Sequence, residues 1–417
     1  MAPAPTQPPA RPLALRPSDV RGLYRLGADG CVGLTDLVEA MHHTIGARIG
    51  LQAASPAGRT SGLTGAIYGT VRGSLRAVAG GVDAVWRRVE PVAAHGAATP
   101  QHDAFIAALN GVWGDHLAAS GNPLAIPMAL RRDGVPLEWR DGALATPIAE
   151  PGRKLLVLLH GLCMSDRQWT RRGHDHGRAL AQQLGYTPLY LHYNSGLHVS
   201  HNGRDFALLL QRLLDTWPVP VDELVILGHS MGGLVARSAC HHAQAQGLGW
   251  LRSLRTLVCL GTPHHGAPLE RGGRRLDQLL AFSRYVAPFA RLGKTRSAGI
   301  TDLRFGNLQD ADWQSRDRHA QQHDDRSPTP LPSGVRTCLL AATLAERPGR
   351  LHRALVGDGL VPLSSALGRH SDPALALALP ASQLHVVSDC GHLDLLCHDA
   401  VQAQLLRWLD TPRRRRP

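Results

Sequence analysis

Gly228-His229-Ser230-Met231-Gly232-Gly233 is the stretch on which the reading of this chain turns. It follows an apolar run, Glu223–Leu227, and leads into a helical pattern over Gly233–Gln244. A serine between two glycines, set between a strand and a helix, answers a specific mechanical demand. The chain must reverse so sharply that the serine takes a strained backbone conformation, which is tolerable only if the residues two places away are small. Gly228 and Gly232 meet that condition, and the turn lifts the Ser230 hydroxyl above the sheet edge. The following helix N-terminus adds positive potential for a developing oxyanion.

A serine nucleophile needs a base to take its proton and a carboxylate to orient that base. Where the serine sits on such a turn, the acid and then the base follow it along the chain. Gly357-Asp358-Gly359 follows the strand pattern at 335–343 after a short excursion and Gly391-His392 follows that at 383–388, so the expected order is Ser230, Asp358, His392. Asp389 and Asp394 are rival acids so near His392 that local loop contacts suit them better. His385 and His398 are rival bases. Two backbone N–H groups should hold the oxyanion: that of Met231, and that of Leu162 in His160-Gly161-Leu162. Around them His160, Ser195, His198, His229, His264 and His265 are the candidates to line the substrate. Competing readings are loop shaping for His264 and His265, and turn chemistry leading to a helix cap near Asn202 for Ser195 and His198.

The surrounding pattern alternates. Strands are predicted at Lys154–Leu159, Thr187–Tyr193, Glu223–Leu227, Arg255–Leu260, Val335–Thr343 and Gln383–Ser388. Helices are predicted at Gly177–Leu184, Asp205–Thr216, Gly233–Gln244 and Ala400–Leu409. Such alternation implies an α/β fold, a mostly parallel sheet with helices on both faces. Ile126–Leu130 and Val135–Trp139 flank an Arg-Asp-Gly turn and read as a hairpin. Residues 264–333 interrupt the rhythm and read as a helical lid insertion, with an amphipathic set at Leu276, Leu279, Leu280, Tyr285, Val286 and Phe289. The expected organisation is a disordered Pro-rich start at 1–17, a helical N-terminal extension at 18–123, a catalytic domain at 124–411 and a basic tail at 412–417.

In the extension, Asp36 with Glu39 three residues later reads as the start of a helix. Leu63, Ile67, Val71, Leu75, Val78, Val82, Val85 and Val89 form one apolar stripe of a long helix. Beside it, Gly65, Gly69, Gly73, Ala77 and Gly81 form a small-residue stripe that would let a second helix approach closely.

The strands, the Ser230 turn and its partners together resemble an α/β-hydrolase of the lipase/esterase type. The chain is similar to bacterial lipase-like proteins grouped with the GPI inositol-deacylase family. The resemblance rests on His160-Gly161-Leu162, Gly228–Gly232, Gly261-Thr262-Pro263-His264-His265-Gly266, and Asp358–Pro362 with His392, and it spans roughly 150–395. It implies hydrolysis of a carboxylic ester, a lipid or acyl ester, through an acyl-enzyme on Ser230, with neither metal nor organic cofactor. An acyltransferase would use the same acyl-enzyme. A membrane- or partner-binding protein with a vestigial site is the reading from another class.

Composition adds bounds. The 417 residues carry 43% hydrophobic and 19% charged residues and a net charge of +12. The basic residues are nearly all arginine, only Lys154 and Lys294 being lysine, a usage that a GC-rich genome would write. Aromatics are 5%, too few to interleave a nucleic-acid surface, so no nucleic-acid partner is expected. Seven scattered cysteines argue against a disulfide framework and for a reducing compartment. With no signal peptide or membrane-spanning run in the pattern, a cytoplasmic protein is expected, with peripheral membrane contact through the arginine-bearing N-terminal helices. Oligomeric state is not readable. His174-Asp175-His176 reads as a capped helix start rather than a metal site. Gly293-Lys294-Thr295 lacks the glycine of a phosphate loop, since Pro288 stands there.

Overall fold

Strand periodicity decides the central sheet. Alternate side chains of Leu155–Leu159, Leu224–Leu227, Leu257–Leu260 and Leu339–Ala342 enter two separate buried clusters. Leu155, Val157, Ile226 and Leu257 join one with helical residues such as Phe206, Leu210, Leu234 and Val235. Leu156, Leu158, Val225 and Val258 join the other with Leu180, Val401, Leu405 and Trp408. A sheet apolar on both faces must be covered on both, which is why its strands read as continuous hydrophobic runs.

The computed structural model describes residues 15–48, 59–89, 99–267, 297–314, 324–345 and 357–410. The described elements divide into two compact units, 1–102 with 117–125, and 103–116 with 126–417. The larger unit contains β1 (Ala129–Arg132), β2 (Val135–Pro136), β3 (Trp139–Arg140), β4 (Ala143–Leu144), β5 (Lys154–Leu159), β6 (Thr187–His192), β7 (Glu223–His229), β8 (Leu254–Leu260), β9 (Arg336–Thr343) and β10 (Leu384–Ser388). The eight-stranded sheet runs β10-β9-β8-β7-β5-β6-β1-β2. It is parallel from β10 to β6, with β1 and β2 antiparallel at one edge. Asp133 (φ 51°) and Gly134 (φ 79°) make the β1–β2 turn, both with the positive φ that a two-residue hairpin of this hand requires.

Helices α4 (His176–Leu184), α5 (Val199–Thr216), α6 (Met231–Gln246), α7 (Ala298–Phe305), α8 (Leu363–Ala366) and α9 (Asp399–Leu409) complete the larger unit. The register aligns the strand ends: Leu159 pairs with Gly228, His229 with Leu260, and Leu260 with Leu340. Because β5 lies between β6 and β7, the loops leaving β5 and β7 emerge side by side, where ligands settle in open α/β sheets.

The smaller unit holds α1 (Pro17–Arg48) and α2 (Gly62–Val89). Asp36 and Glu39 do not start a helix; α1 runs through both, and their carboxylates pair instead with Arg72 of α2. Glu39 also accepts from the Thr60 N–H and hydroxyl (3.1 and 2.9 Å). Arg21 pairs with Asp83 at 2.7 Å. Arg72 and Asp83 are eleven residues apart, about three turns, and so share the face of α2 that meets α1. Most of the glycine stripe does not: a Cβ at Gly69, Gly73 or Gly81 would meet nothing within 4 Å among the described residues, although one at Gly65 would stand 2.3 Å from the Thr60 carbonyl oxygen. Much of the apolar stripe is also outward, with Leu63 80% and Val78 63% exposed.

Helix α3 (Pro100–Ala119) lies before the expected boundary at 123/124, and its segment Asp103–His116 packs as part of the larger unit. There, Ser297 donates to the Gly111 carbonyl (2.7 Å), Asp115 accepts from the Ala298 N–H (2.9 Å), and Asn194 donates to the Gly114 carbonyl (2.9 Å). Residues 268–296 lie outside the described residues, and with them the amphipathic set of the expected lid; so do 1–14 and the tail from 411. Among the described residues no helix is long and apolar enough to cross a membrane, and all seven cysteines are free thiols.

Candidate active site

At the end of β7 the backbone of Ser230 takes φ 54° and ψ −122°, and α6 begins at the next residue. A Cβ at Gly228 would stand 2.5 Å from the Gly233 nitrogen, and one at Gly232 would stand 2.3 Å from the Leu159 carbonyl oxygen. Neither position admits a side chain, so the glycine spacing is a steric requirement of the turn. The Ser230 N–H donates to the Leu260 carbonyl (2.9 Å), tying the turn to β8.

Asp358 and His392 come from the loops after β9 and β10. The Asp358 carboxylate accepts from the Leu360 and Val361 N–H groups through Oδ1 (3.0 and 2.8 Å), which leaves Oδ2 to accept from His392 Nδ1 at 2.7 Å. The His392 N–H donates to the Asp358 carbonyl (3.0 Å), so backbone and side chain both hold the pair. Ser230 and His392 line one cavity of about 120 Å³, with the loop 161–164, Gln168, Thr170 and Arg171. The Leu162 and Met231 N–H groups have no hydrogen-bond partner among the described residues. The parallel sheet, the serine at the β7–α6 turn, and an acid and a histidine after successive later strands settle the architecture. This is the α/β-hydrolase fold.

Residues 152–325 match the family described as PGAP1-like alpha/beta domain. No curated protein matches the chain in sequence. Among solved structures, the α/β-hydrolase unit is similar to the mature lipase BlEst2 of Bacillus licheniformis, with 19% identity over 63% of this chain and 96% of that one, at a TM-score of 0.40. Lipase B of Aspergillus fumigatus is 11% identical over 63% of this chain and 55% of that one, with a TM-score of 0.39. A thermophilic esterase of Thermogutta terrifontis is 17% identical over 62% and 89% of the two chains, with a TM-score of 0.35.

Of the six candidates to line substrate, His229 lines the cavity that holds Ser230, and the other five do not line it. The His229 Nε2–H donates to the His392 carbonyl (3.0 Å). Burial, reinforced by the neighbouring positive charge, holds its pKa far below the usual histidine range, so the ring is neutral. His160 lies fully buried behind the β5 loop, stacked on Tyr193 at 4.3 Å between centroids, and burial pulls its pKa down to about 3. Ser195 is also buried; its hydroxyl accepts from the Cys163 N–H (3.0 Å) and thereby shapes the segment that carries Leu162. His198, at the N-cap of α5, pairs with Asp302 (2.9 Å) and stacks on Trp313. The cap expected near Asn202 thus falls at His198, and this histidine does not line the cavity with Ser230.

His264 is buried against Arg237 (3.3 Å), and His265 lines a separate open groove with Arg304 and Arg369. Both sit in the loop after β8, where the His265 N–H donates to Ser365 Oγ (3.0 Å), and neither lines the cavity with Ser230. Asp175 caps α4 from the Arg178 N–H (3.1 Å), as its place in His174-Asp175-His176 implies. Among the rivals, Asp394 faces Arg171 and Arg172 (3.9 and 3.3 Å), and His398 caps α9. Gln168, Thr170 and Arg171 escaped the sequence reading, because nothing in their local spacing marks them as cavity walls.

Proposed function

We propose that this protein hydrolyses carboxylic esters through an acyl-enzyme on Ser230. The observation that carries the reading is the His392 Nδ1–Asp358 Oδ2 hydrogen bond of 2.7 Å, beside a serine held at φ 54° in the same cavity. With Nδ1 bearing the proton that Asp358 accepts, Nε2 of His392 is the base. It takes the Ser230 proton as Oγ attacks the ester carbonyl carbon. The carbonyl oxygen becomes an oxyanion facing the Leu162 and Met231 N–H groups, which are pre-oriented and need no reorganisation as charge develops. Collapse breaks the bond to the alcohol oxygen, which leaves with the proton from His392. Water, deprotonated by the same nitrogen, then attacks the acyl-enzyme, releasing the carboxylic acid and restoring the serine.

Acyl and lipid esters are the substrate class this reading favours. The test is hydrolysis of a p-nitrophenyl acyl ester series by wild type and Ser230→Ala. Loss of about 10⁴-fold or more in kcat is expected on removing the nucleophile; equal rates would overturn the reading.

A further inference from the structure

Arg171 lines the cavity that holds Ser230 and His392, and its charge is only partly met by the protein. Among the described residues its carboxylate partner is Asp394, at 3.9 Å, and the same Oδ1 atom lies closer to Arg172, at 3.3 Å. Two guanidinium groups therefore share one carboxylate. Arg171 Nε is buried with no hydrogen-bond partner among the described residues. The backbone of Arg171 is pinned by two hydrogen bonds with His174 (2.8 and 2.9 Å), so the side chain starts from a fixed point. Beside it Gln168, also a cavity wall, uses Oε1 to accept the Ser165 N–H (2.6 Å), which leaves its NH2 group as a second donor.

A half-buried, incompletely paired guanidinium is costly unless something anionic completes it. Its planar fork matches the oxygens of a carboxylate or phosphate better than a point charge would. The location specifies which half of the substrate it meets. Arg171 reaches Asp394, two residues beyond His392, and shares the cavity wall with His392, Leu393 and Leu396; this puts it with the loop of the base, which hands the leaving alcohol its proton.

We infer that Arg171, aided by Gln168, binds an anionic group, carboxylate or phosphate, on the alcohol half of the ester. This rests on the acyl-enzyme reading above and names its substrate class. Arg171 is then a specificity-determining residue.

Three butyrate esters test it: those of 3-hydroxybenzamide, 3-hydroxybenzoate and 3-hydroxyphenyl phosphate, which present a neutral, a carboxylate and a phosphate group at one position. Wild type should show a higher kcat/KM for at least one anionic ester than for the amide. The preference should be about 10- to 100-fold, the range of a hydrogen bond to a charged group. The larger of the two preferences identifies the anion. Arg171→Gln should collapse that ratio toward one, Arg171→Lys should retain part of it, and Arg172→Gln, 69% exposed and outside the cavity, should keep it. No anionic preference in wild type, or equal slowing of all three esters in Arg171→Gln, would overturn the assignment. Failure of the acyl-enzyme reading is seen separately, as absence of fluorophosphonate labelling at Ser230 in wild type.

Discussion

The two units are stabilised in opposite ways. In the α/β-hydrolase unit Leu155 to Leu159 are all at 0% exposure, and apolar burial on both sheet faces fixes the strand ends that carry Ser230, Asp358 and His392. In the smaller unit the described helices leave Leu34 62% and Leu63 80% exposed, and a few polar contacts define how α1 meets α2: Arg72 with Glu39 and Asp36, Arg21 with Asp83. Removing one buried carboxylate from the first unit should therefore cost chemistry, and removing one from the second should cost structure. A preorganised site needs a rigid frame, and among the described residues the buried apolar side chains lie almost entirely in the larger unit.

The widest gap between the units is expected in catalysis. His392→Ala should lower kcat by about 10⁵- to 10⁶-fold and Asp358→Asn by about 10⁴-fold, as for comparable serine–histidine–carboxylate sites. Steady-state ester hydrolysis checks both, and losses under tenfold would mean that the paired geometry is not used.

Glu39→Gln should instead lower amide protection in α1 and α2 by about tenfold, the scale of one lost charged hydrogen bond. Hydrogen exchange reads it. The same contact sets a pH dependence. Burial alone would push the Glu39 carboxyl up, but hydrogen bonds from Arg72 and Thr60 outweigh it and hold its pKa below the ordinary 4.5. A depressed folded pKa stabilises above the unfolded value and stops doing so as pH falls through the folded one. Protection of α1 and α2, corrected for intrinsic exchange, should therefore decline as pH drops below 4.5 in wild type and stay flatter in Glu39→Gln.

The smallest effect tests the small-residue stripe. Gly69→Ala and Gly73→Ala fill open space in a helix and should each stabilise α2 by about 0.5–1 kcal/mol. A destabilisation in the same exchange measurement would show that those glycines do accept a close neighbour.

What was legible in the chain follows from how local each demand is. Gly228, Ser230 and Gly232 satisfy a steric condition written within five residues, so the turn could be read directly. Asp358 and His392 were readable because successive parallel strands must each end at the same sheet edge. Asp36 and Glu39 misled because they mimic a helix cap, whereas their partner, Arg72, lies 36 and 33 residues further on. The partner of His198 was hidden for a similar reason, since Asp302 is 104 residues away. Arg171 left no local trace at all. Its place in the cavity exists only because the loop after β5 meets the loop after β10.

The central claim, that Ser230 is the nucleophile, is tested most directly by intact-mass analysis after incubation with a fluorophosphonate, followed by peptide mapping. The geometry predicts a single adduct on the peptide carrying Gly228–Gly233, located at Ser230, absent in Ser230→Ala and slow to form in His392→Ala. Equal labelling of Ser230→Ala, or an adduct placed on any other residue, would contradict it.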